Sequence, residues 1–469
     1  MDQSSARCSL PSSLTYHVLA ALLLVIALAA SAYPQKRSGT PLSASDDAFL
    51  EDLSRRSFRF FWEQADPRTG LVADRARANG TSYDKSHPSI SIASSAATGF
   101  GLTALCIGAE RGWVDRQAAR ERVLTTLRFY AERSPHEHGW FYHFVDRETG
   151  ERRWRSEIST IDTSLLLGGV LTARQYFRHD PEIVRLATQI YERVDFPWML
   201  ADGSLLISHG WKPETGFIKH TWNQYSEHTI LQMLAIGSPT HPISPGAWLS
   251  WQRLRLTYAG YTYLTFLSAP LFIHQYSQAW IDYRGQEESW YPYTNYFDNS
   301  VKATLAHREF CISLSDKFPG YSENVWGITA SDSEKGYRAW GGPPPSRNID
   351  GTVVPCAAGG SLMFTPEITM AALRTMHERW GDRIYGHYGF VDAFNPNTGW
   401  VDSDVIGIDV GITLLSAENL RTGNVWQWFM RNKEIPRAMR LVGFRKARRR
   451  LQIPAARRPL LTRVGQRTA

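Results

Sequence analysis

Residues 156–169, SEISTIDTSLLLGG, run from polar, loop-like positions carrying Glu157 and Asp162 straight into an apolar helical stretch. The chain repeats this twice. Residues 221–234, TWNQYSEHTILQML, bring Glu227 to the head of a second run, and residues 402–420, DSDVIGIDVGITLLSAENL, bring Asp409 to a third. Acids at several helix starts converge when those helices point the same way around a ring. Converging acids among Trp, Tyr and His suit cleavage of a glycosidic bond, which uses one carboxyl to donate a proton and another as base or nucleophile.

Outward from these junctions the pattern is helical. DDAFLEDLSRRSFRFFWEQAD (46–66) sets Phe49, Leu53, Phe58, Phe60, Phe61 and Trp62 on one broad stripe. Helical runs follow at 93–112, 115–133 (with Asp115 as N-cap), 161–177, 180–194, 225–237, 243–265, 276–285, 296–318, 365–381 and 411–432. Residues 138–154 and 208–222 carry Gly-bounded aromatic alternation and read as short hairpins. No solenoid-type repeat is visible. Roughly ten to twelve helices with long aromatic loops predict an all-α domain. A ring of paired helices with loops crowding one end fits, and spacing alone does not separate it from an open bundle.

The 469 residues carry a formal charge of +7 and are 12% aromatic, with 17 Trp. From Arg431 onward there are 13 Lys and Arg against one acid, Glu434, so the rest of the chain is net negative. A nucleic-acid role for the body has no support. Val18–Ala30 is an apolar run too short for a bilayer span, followed by Ala30-Ser31-Ala32. Residues 1–32 therefore read as a secretory signal peptide or an uncleaved signal anchor, and the body is expected to be periplasmic or secreted. Residues 33–45 read as a linker, 46–432 as the body, and 433–469 as a basic, disordered tail or a clamp on anionic envelope material. Cys8 falls in the leader; Cys106, Cys311 and Cys356 leave either one bridge or three reduced thiols.

Each acid has a plain structural reading beside the chemical one. Ser159 to Asp162 has capping-box spacing, so Asp162 can serve as a cap. Glu157 precedes the helix beside Trp154 and Arg155 and faces a ligand more readily. Glu227 in a first turn suits the helix dipole, yet Trp222, Asn223, Gln224, Tyr225 and His228 around it are costly to bury unless a wet cleft receives them. Asp409 can be an N-cap. Asp402, Asp404 and Asp409 lack the EF-hand pattern, and no HExxH or paired-Cys spacing supports zinc. No phosphate-cradling GxxxxGK[ST] or GxGxxG and no GxSxG occurs. Neither metal nor cofactor is expected.

ASSAATGFGLTAL, HGWFYHF, SEISTIDTSLLLGG, YSEHTILQMLAIGSPTHPI, NVWGITASD, GGSLMFTPE and IGIDVGITLLSAENLRTGNVWQWFM, spread in order over residues 46–432, closely resemble the bacterial glucoamylase-like domain family, which contains the endo-β-1,2-glucanases of glycoside hydrolase family 144. The resemblance implies an (α/α)6 toroid with its active site in a cleft at one end, and inverting hydrolysis of β-1,2-glucan. It places an important acid at Glu227 through YSEH, points to Asp162 with Glu157 through STIDT, and to Asp409 through GIDxG. The common form of that last motif continues Gln-Gly-Pro; here Val410-Gly411-Ile412 follow.

The expected reader of the sugar is then Glu227 as acid and Asp409 as base, with Glu157 as the competing base. Trp211, Trp222, Trp326 and Trp340 are expected to stack on sugar rings, Tyr225 and Trp222 to bury Glu227, and His143, Arg155 and Lys219 to bind hydroxyls. Two rivals stand beside this hydrolase: an exo-acting or transglycosylating relative on another β-glucan, and a non-catalytic glycan-binding envelope protein. The partner is a β-glucan oligo- or polysaccharide, bound by a monomer, with envelope association through the basic tail.

Overall fold

The computed structural model describes residues 42–447 apart from 85, 202, 292–293 and 345–347. The expected leader, nearly all of the linker and the chain beyond 447 lie outside the described residues. The chain divides into two compact units, Met1–Ser45 and Asp46–Ala469; apart from the first two residues of the first helix, the described helices belong to the second. In chain order they are α1 (Ala44–Glu63), α2 (Ser95–Glu110), α3 (Arg116–Glu132), α4 (Thr160–Tyr176), α5 (Pro181–Glu192), α6 (Thr229–Gly237), α7 (Ala247–Ser250), α8 (Tyr276–Trp280), α9 (Tyr296–Ser313), α10 (Pro355–Gly359), α11 (Pro366–Trp380), α12 (Gly407–Arg421), α13 (Asn424–Phe429) and α14 (Glu434–Leu441). Among the described residues no helix is long and apolar enough to cross a membrane.

Alternate helices line an inner ring. α2 packs on α4, α4 on α6, α6 on α8, α10 on α12, and α12 back on α2. The α8–α10 junction is made by Gln275, whose Nε2 donates to the Ala357 carbonyl at 2.9 Å. A helix with neighbours on both hands must be apolar all round, and α4, α6 and α12 are buried along almost their whole length. Outer helices need only one apolar stripe: α5 buries Ile183, Leu186, Ala187 and Ile190 at helical spacing. The result is an (α/α)6 toroid, as expected.

Two glycines let the inner ring close tightly. A Cβ on Gly169 would sit 2.0 Å from the Gly99 carbonyl oxygen, and one on Gly99 would sit 2.2 Å from that of Leu165. The α2–α4 contact is therefore backbone on backbone. Short strands fix where inner helices begin. Ile92–Ser94 pairs with Phe144–Asp146 ahead of α2, Ile158–Ser159 with Gly210–Lys212 ahead of α4, and Asp404–Ile406 with Arg75–Arg77 ahead of α12. Ser94 and Ser159 then cap α2 and α4 by accepting the Ala97 and Asp162 N–H groups.

Three expectations change. The run expected over 243–265 is helical only at α7; Arg255–Tyr258 and Tyr261–Leu264 form a hairpin instead. Ala259 and Gly260, both at positive φ, make its two-residue turn, a geometry that matches strand twist. The helix after YSEH begins at Thr229, so Glu227 precedes it rather than lying in its first turn. Finally, order does not end at 432. Helix α14 packs against α6 as its outer partner, burying Ile435, Ala438 and Met439. Glu434 makes a buried ion pair with Arg174 at 2.9 Å. Phe444–Lys446 pairs with Gln286–Glu288. The first part of the expected disordered tail is thus a piece of the ring, because α7 is too short to cover α6.

The glycine contact gives a test. Gly169→Ala should destabilise the domain by about 1–3 kcal/mol, the usual cost of overpacking, read as an earlier denaturant midpoint with an unchanged slope.

Candidate active site

Each inner helix contributes its opening residues to one end of the ring. Asp162 lies in the first turn of α4 and Asp409 in that of α12. Tyr276 opens α8, Cys356 is the second residue of α10, and Glu227 sits just ahead of α6. At the head of α2, the Ser95 N–H donates to the His143 carbonyl at 3.1 Å and its hydroxyl to that of Tyr142 at 2.6 Å. That pins His143 at the same end.

Glu227 is 8% exposed. Burial is the main reason its carboxyl is pushed up to about 7, and the negative Asp162 adds to it; the Ser226 hydroxyl and a backbone N–H pull back only partly. Trp222 forms the wall behind it, with Nε1 donating to Thr160 Oγ1 at 3.0 Å. The indole stacks between His209 and His228 at 4.0 and 5.5 Å. His228 is fully buried, and desolvation holds it neutral, down to about 3. The Ser277 hydroxyl donates to the Glu227 carbonyl and so ties this loop to α8.

Asp409 is buried as well, and burial raises its carboxyl; hydrogen bonds from Asp392, Cys356 and Tyr276 offset part of that. Tyr276 donates to Asp409 Oδ1 at 3.3 Å and also lies in the field of Glu227. Burial raises Asp392 as well, and the Asp409 charge and hydrogen bond add to that. The two carboxyls titrate as a pair, and the hydrogen bond from Asp392 favours the ionised form of Asp409. The Asp332 N–H holds Asp392 Oδ2 at 2.7 Å. Cys356 stays a thiol, its ionisation opposed by burial and by Asp409.

Opposite lies a charged clamp. His143 faces Glu157 through Nδ1 at 3.0 Å and Asp162 through Nε2 at 3.4 Å. Burial would lower the imidazole, but the charges of Asp162 and Glu157, with Asp74 behind them, raise it instead. Glu157 is held down at about 2, chiefly by the His143 hydrogen bond and further by Lys212, whose Nζ is 3.9 Å away. The circuit closes through Asp74 and Arg75, whose Nη1 reaches Asp332 at 2.6 Å.

Glu157, Asp162, Glu227, Asp409 and His143 are thus brought together. The binding residues divide. Trp222 and Tyr225 wall the Glu227 loop from within the core, as burying residues and not as sugar platforms. Trp326 (0% exposed) and Trp340 (3%) offer no face to a sugar; aromatic content alone does not separate core from cleft. Trp211 is half-buried against Trp198. Arg155 points to Glu214 at 3.9 Å, and Lys219 is exposed. Sequence reasoning missed Asp74, Lys212, Tyr276, Asp332, Cys356 and Asp392. The acids in ASD and VDAF were legible only as loop carboxylates next to apolar residues.

One grouping of described residues has metal-ligand spacing: Asp332, Asp392 and Asp402 each place an oxygen within 4.8 Å of the others. Arg75 already pairs with Asp332 through Nη1 at 2.6 Å. Cys106, Cys311 and Cys356 are free and buried. A separate crevice lined by Phe61, Val72, Leu102 and Arg122 lies away from the acids. Its one carboxylate, Asp66, is used up by the turn amides of Arg68 and Thr69.

Residues 219–433 match the family model described as "Putative glucoamylase". The chain is 30% identical, over 445 positions and 87% of its length, to the exo-β-1,2-glucooligosaccharide sophorohydrolase (non-reducing end) of Parabacteroides distasonis, and spans 59% of that protein. A Bacteroides uniformis protein of the glucoamylase description superimposes with a TM-score of 0.78 at 30% identity, covering 87% of this chain and 99% of its own. The endo-β-1,2-glucanase of Chitinophaga pinensis, solved with sophorotriose and glucose, gives 0.79 at 28% identity, with 86% and 99% covered.

The buried Glu227 sets a stability trade. Its folded carboxyl is pushed up to about 7, against 4.5 for an exposed glutamate. Below 4.5 both states are protonated and nothing is lost. Between 4.5 and 7 only the unfolded chain ionises, so stability falls as pH rises, by about 3 kcal/mol in all. Glu227→Gln should remove that loss: relative to wild type it should gain stability between pH 4.5 and 7.5, measured by denaturant melts at both ends.

Proposed function

We propose that this chain, which belongs to the glucoamylase-like family, hydrolyses β-1,2-glucan with inversion, using Glu227 as general acid and Asp409 as general base. The observation that carries the reading is geometric: Glu227 ahead of α6 and Asp409 in the first turn of α12 open at the same end of the ring, with the Tyr276 phenol on Asp409. Glu227, buried with only hydroxyl and backbone hydrogen bonds, is pushed up to about 7, whereas Asp409, raised by burial to about 6, accepts side-chain hydrogen bonds from Asp392, Cys356 and Tyr276 that favour its ionised form. Glu227 protonates the glycosidic oxygen as the bond to C1 breaks. A water attacks C1 from the opposite face and gives its proton to Asp409. Inverting enzymes keep the two carboxyls apart to admit that water. The phenol of Tyr276, bonded to Asp409 and in the field of Glu227, supports such a separation.

Glu157 suits a different task. Ionised and clamped by His143 and Lys212, it is too weak a base to compete with Asp409, and with Asp162 and His143 it is better placed to accept sugar hydroxyls. The β-1,2 linkage rests on the relatives from Parabacteroides distasonis and Chitinophaga pinensis, one named as exo-acting and the other as endo-acting. Both act on that linkage. The chain spans little more than half of the first, so exo or endo action is left to product size. Export through residues 1–32 and action as a monomer complete the proposal.

Purified protein should release reducing sugar from β-1,2-glucan and not from β-1,3- or β-1,4-glucans, with the inverted (α) anomer appearing first by NMR. A first product of β configuration would overturn the mechanism. Glu227→Gln should lose about a thousandfold in kcat while it folds and is at least as stable as wild type. The wild-type kcat/KM should decline as pH rises through about 7, where Glu227 loses its proton.

A further inference from the structure

We infer that Tyr337 roofs the sugar unit lying over Asp409, stacking its ring on that unit from the solvent side. The inference rests on the glucanase reading. Tyr337 belongs to the hairpin formed by Ala330–Ser331 and Arg338–Ala339, in which Ser331 faces Arg338. The next positions outward are Asp332 and Tyr337, so the tyrosine stands across from the acid that anchors the hairpin. That anchor is firm: the Asp332 N–H donates to Asp392 and its carboxylate accepts from Arg75. The loop between is closed by the Gly336 N–H to the Ser333 carbonyl at 2.9 Å and by the Ser333 hydroxyl to the Gly336 carbonyl at 2.7 Å. Gly336 takes the positive φ that the turn needs.

Tyr337 is 55% exposed. Its hydroxyl end is nonetheless raised above the usual phenol range, first by desolvation and then by the charges of Asp409, Asp392 and Asp74. It makes no hydrogen bond or ring contact among the described residues. Tyr276, bonded to Asp409, and Tyr388 and Phe390, which line the same space as Asp392 and Asp409, are buried. A large ring on an anchored hairpin beside buried carboxylates, with open faces and an unused hydroxyl, has no structural partner among the described residues. A glucose ring, apolar on its face and hydroxylated at its edge, supplies both contacts. The clamp at Glu157 has its own exposed ring, Trp154, edge-on to Phe144 at 5.0 Å.

The test uses the full chain with β-1,2-glucooligosaccharides. Tyr337→Ala should lower kcat/KM by about tenfold or more, mostly through KM, with an unchanged melting temperature because the ring is exposed. Tyr337→Phe should stay within about threefold of wild type, since the stacking face remains. In the Glu227→Gln background, Tyr337→Ala should weaken oligosaccharide binding by a similar factor in calorimetry. Wild-type kinetics for Tyr337→Ala, or equal damage from Ala and Phe, would overturn the stacking role while leaving the glucanase reading intact. A wild-type protein that neither binds nor cleaves β-1,2-glucan would overturn both.

Discussion

Helices that begin at the same end of a closed ring must bring their opening residues within reach of one another. In this toroid the inner helices pack so closely that Gly99 and Gly169 meet backbone to backbone. Asp162 and Asp409 lie in the first turns of two of them. Any carboxylate placed there is surrounded by the others, and its protonation is decided collectively. The chemistry of the cleft follows from that crowding more than from any single residue.

Crowding alone would raise every acid. The neighbours sort them. His143 and Lys212 hold Glu157 ionised; Glu227 has only hydroxyl and backbone hydrogen bonds against full burial, and it is raised. Asp409 lies between, raised by burial but eased by hydrogen bonds from Asp392, Cys356 and Tyr276. One end of the cleft thus holds a proton ready to give and the other a carboxylate ready to receive one. The cost is a fold that carries buried acids with imperfect partners, a common stability–function conflict.

The ring and four of its acids, Glu157, Asp162, Glu227 and Asp409, were legible because the relevant signals are local. An apolar run headed by Ser-x-x-Asp or by Tyr-Ser-Glu announces itself in a dozen residues. What escaped is what depends on distant pairing. Asp392 matters through Asp409 and Asp332, residues far from it in sequence. Trp326 and Trp340 look like Trp154 on paper; only packing separates a core indole from an exposed one. The hairpin at 255–264 was hidden by apolar content that suits helix and strand alike, although Ala259-Gly260 marked its turn. Asp402 was seen in the acidic loop, but its neighbours Asp332 and Asp392 were not.

The C-terminal segment shows why composition misleads at a domain edge. Its Arg and Lys content resembles a solvated tail, yet Ile435, Ala438 and Met439 fall on one helical face and Glu434 finds Arg174 in the interior. Arg174 also bonds Asn432 Oδ1 at 2.9 Å, and Gly237 of α6 lies so close to the Glu434 carbonyl that a Cβ there would sit at 2.5 Å. α14 therefore presses directly on the far end of the helix that Glu227 precedes. A carboxyl whose proton affinity depends on complete burial needs its helix held from behind, and the segment that resembles an appendage is the one that holds it.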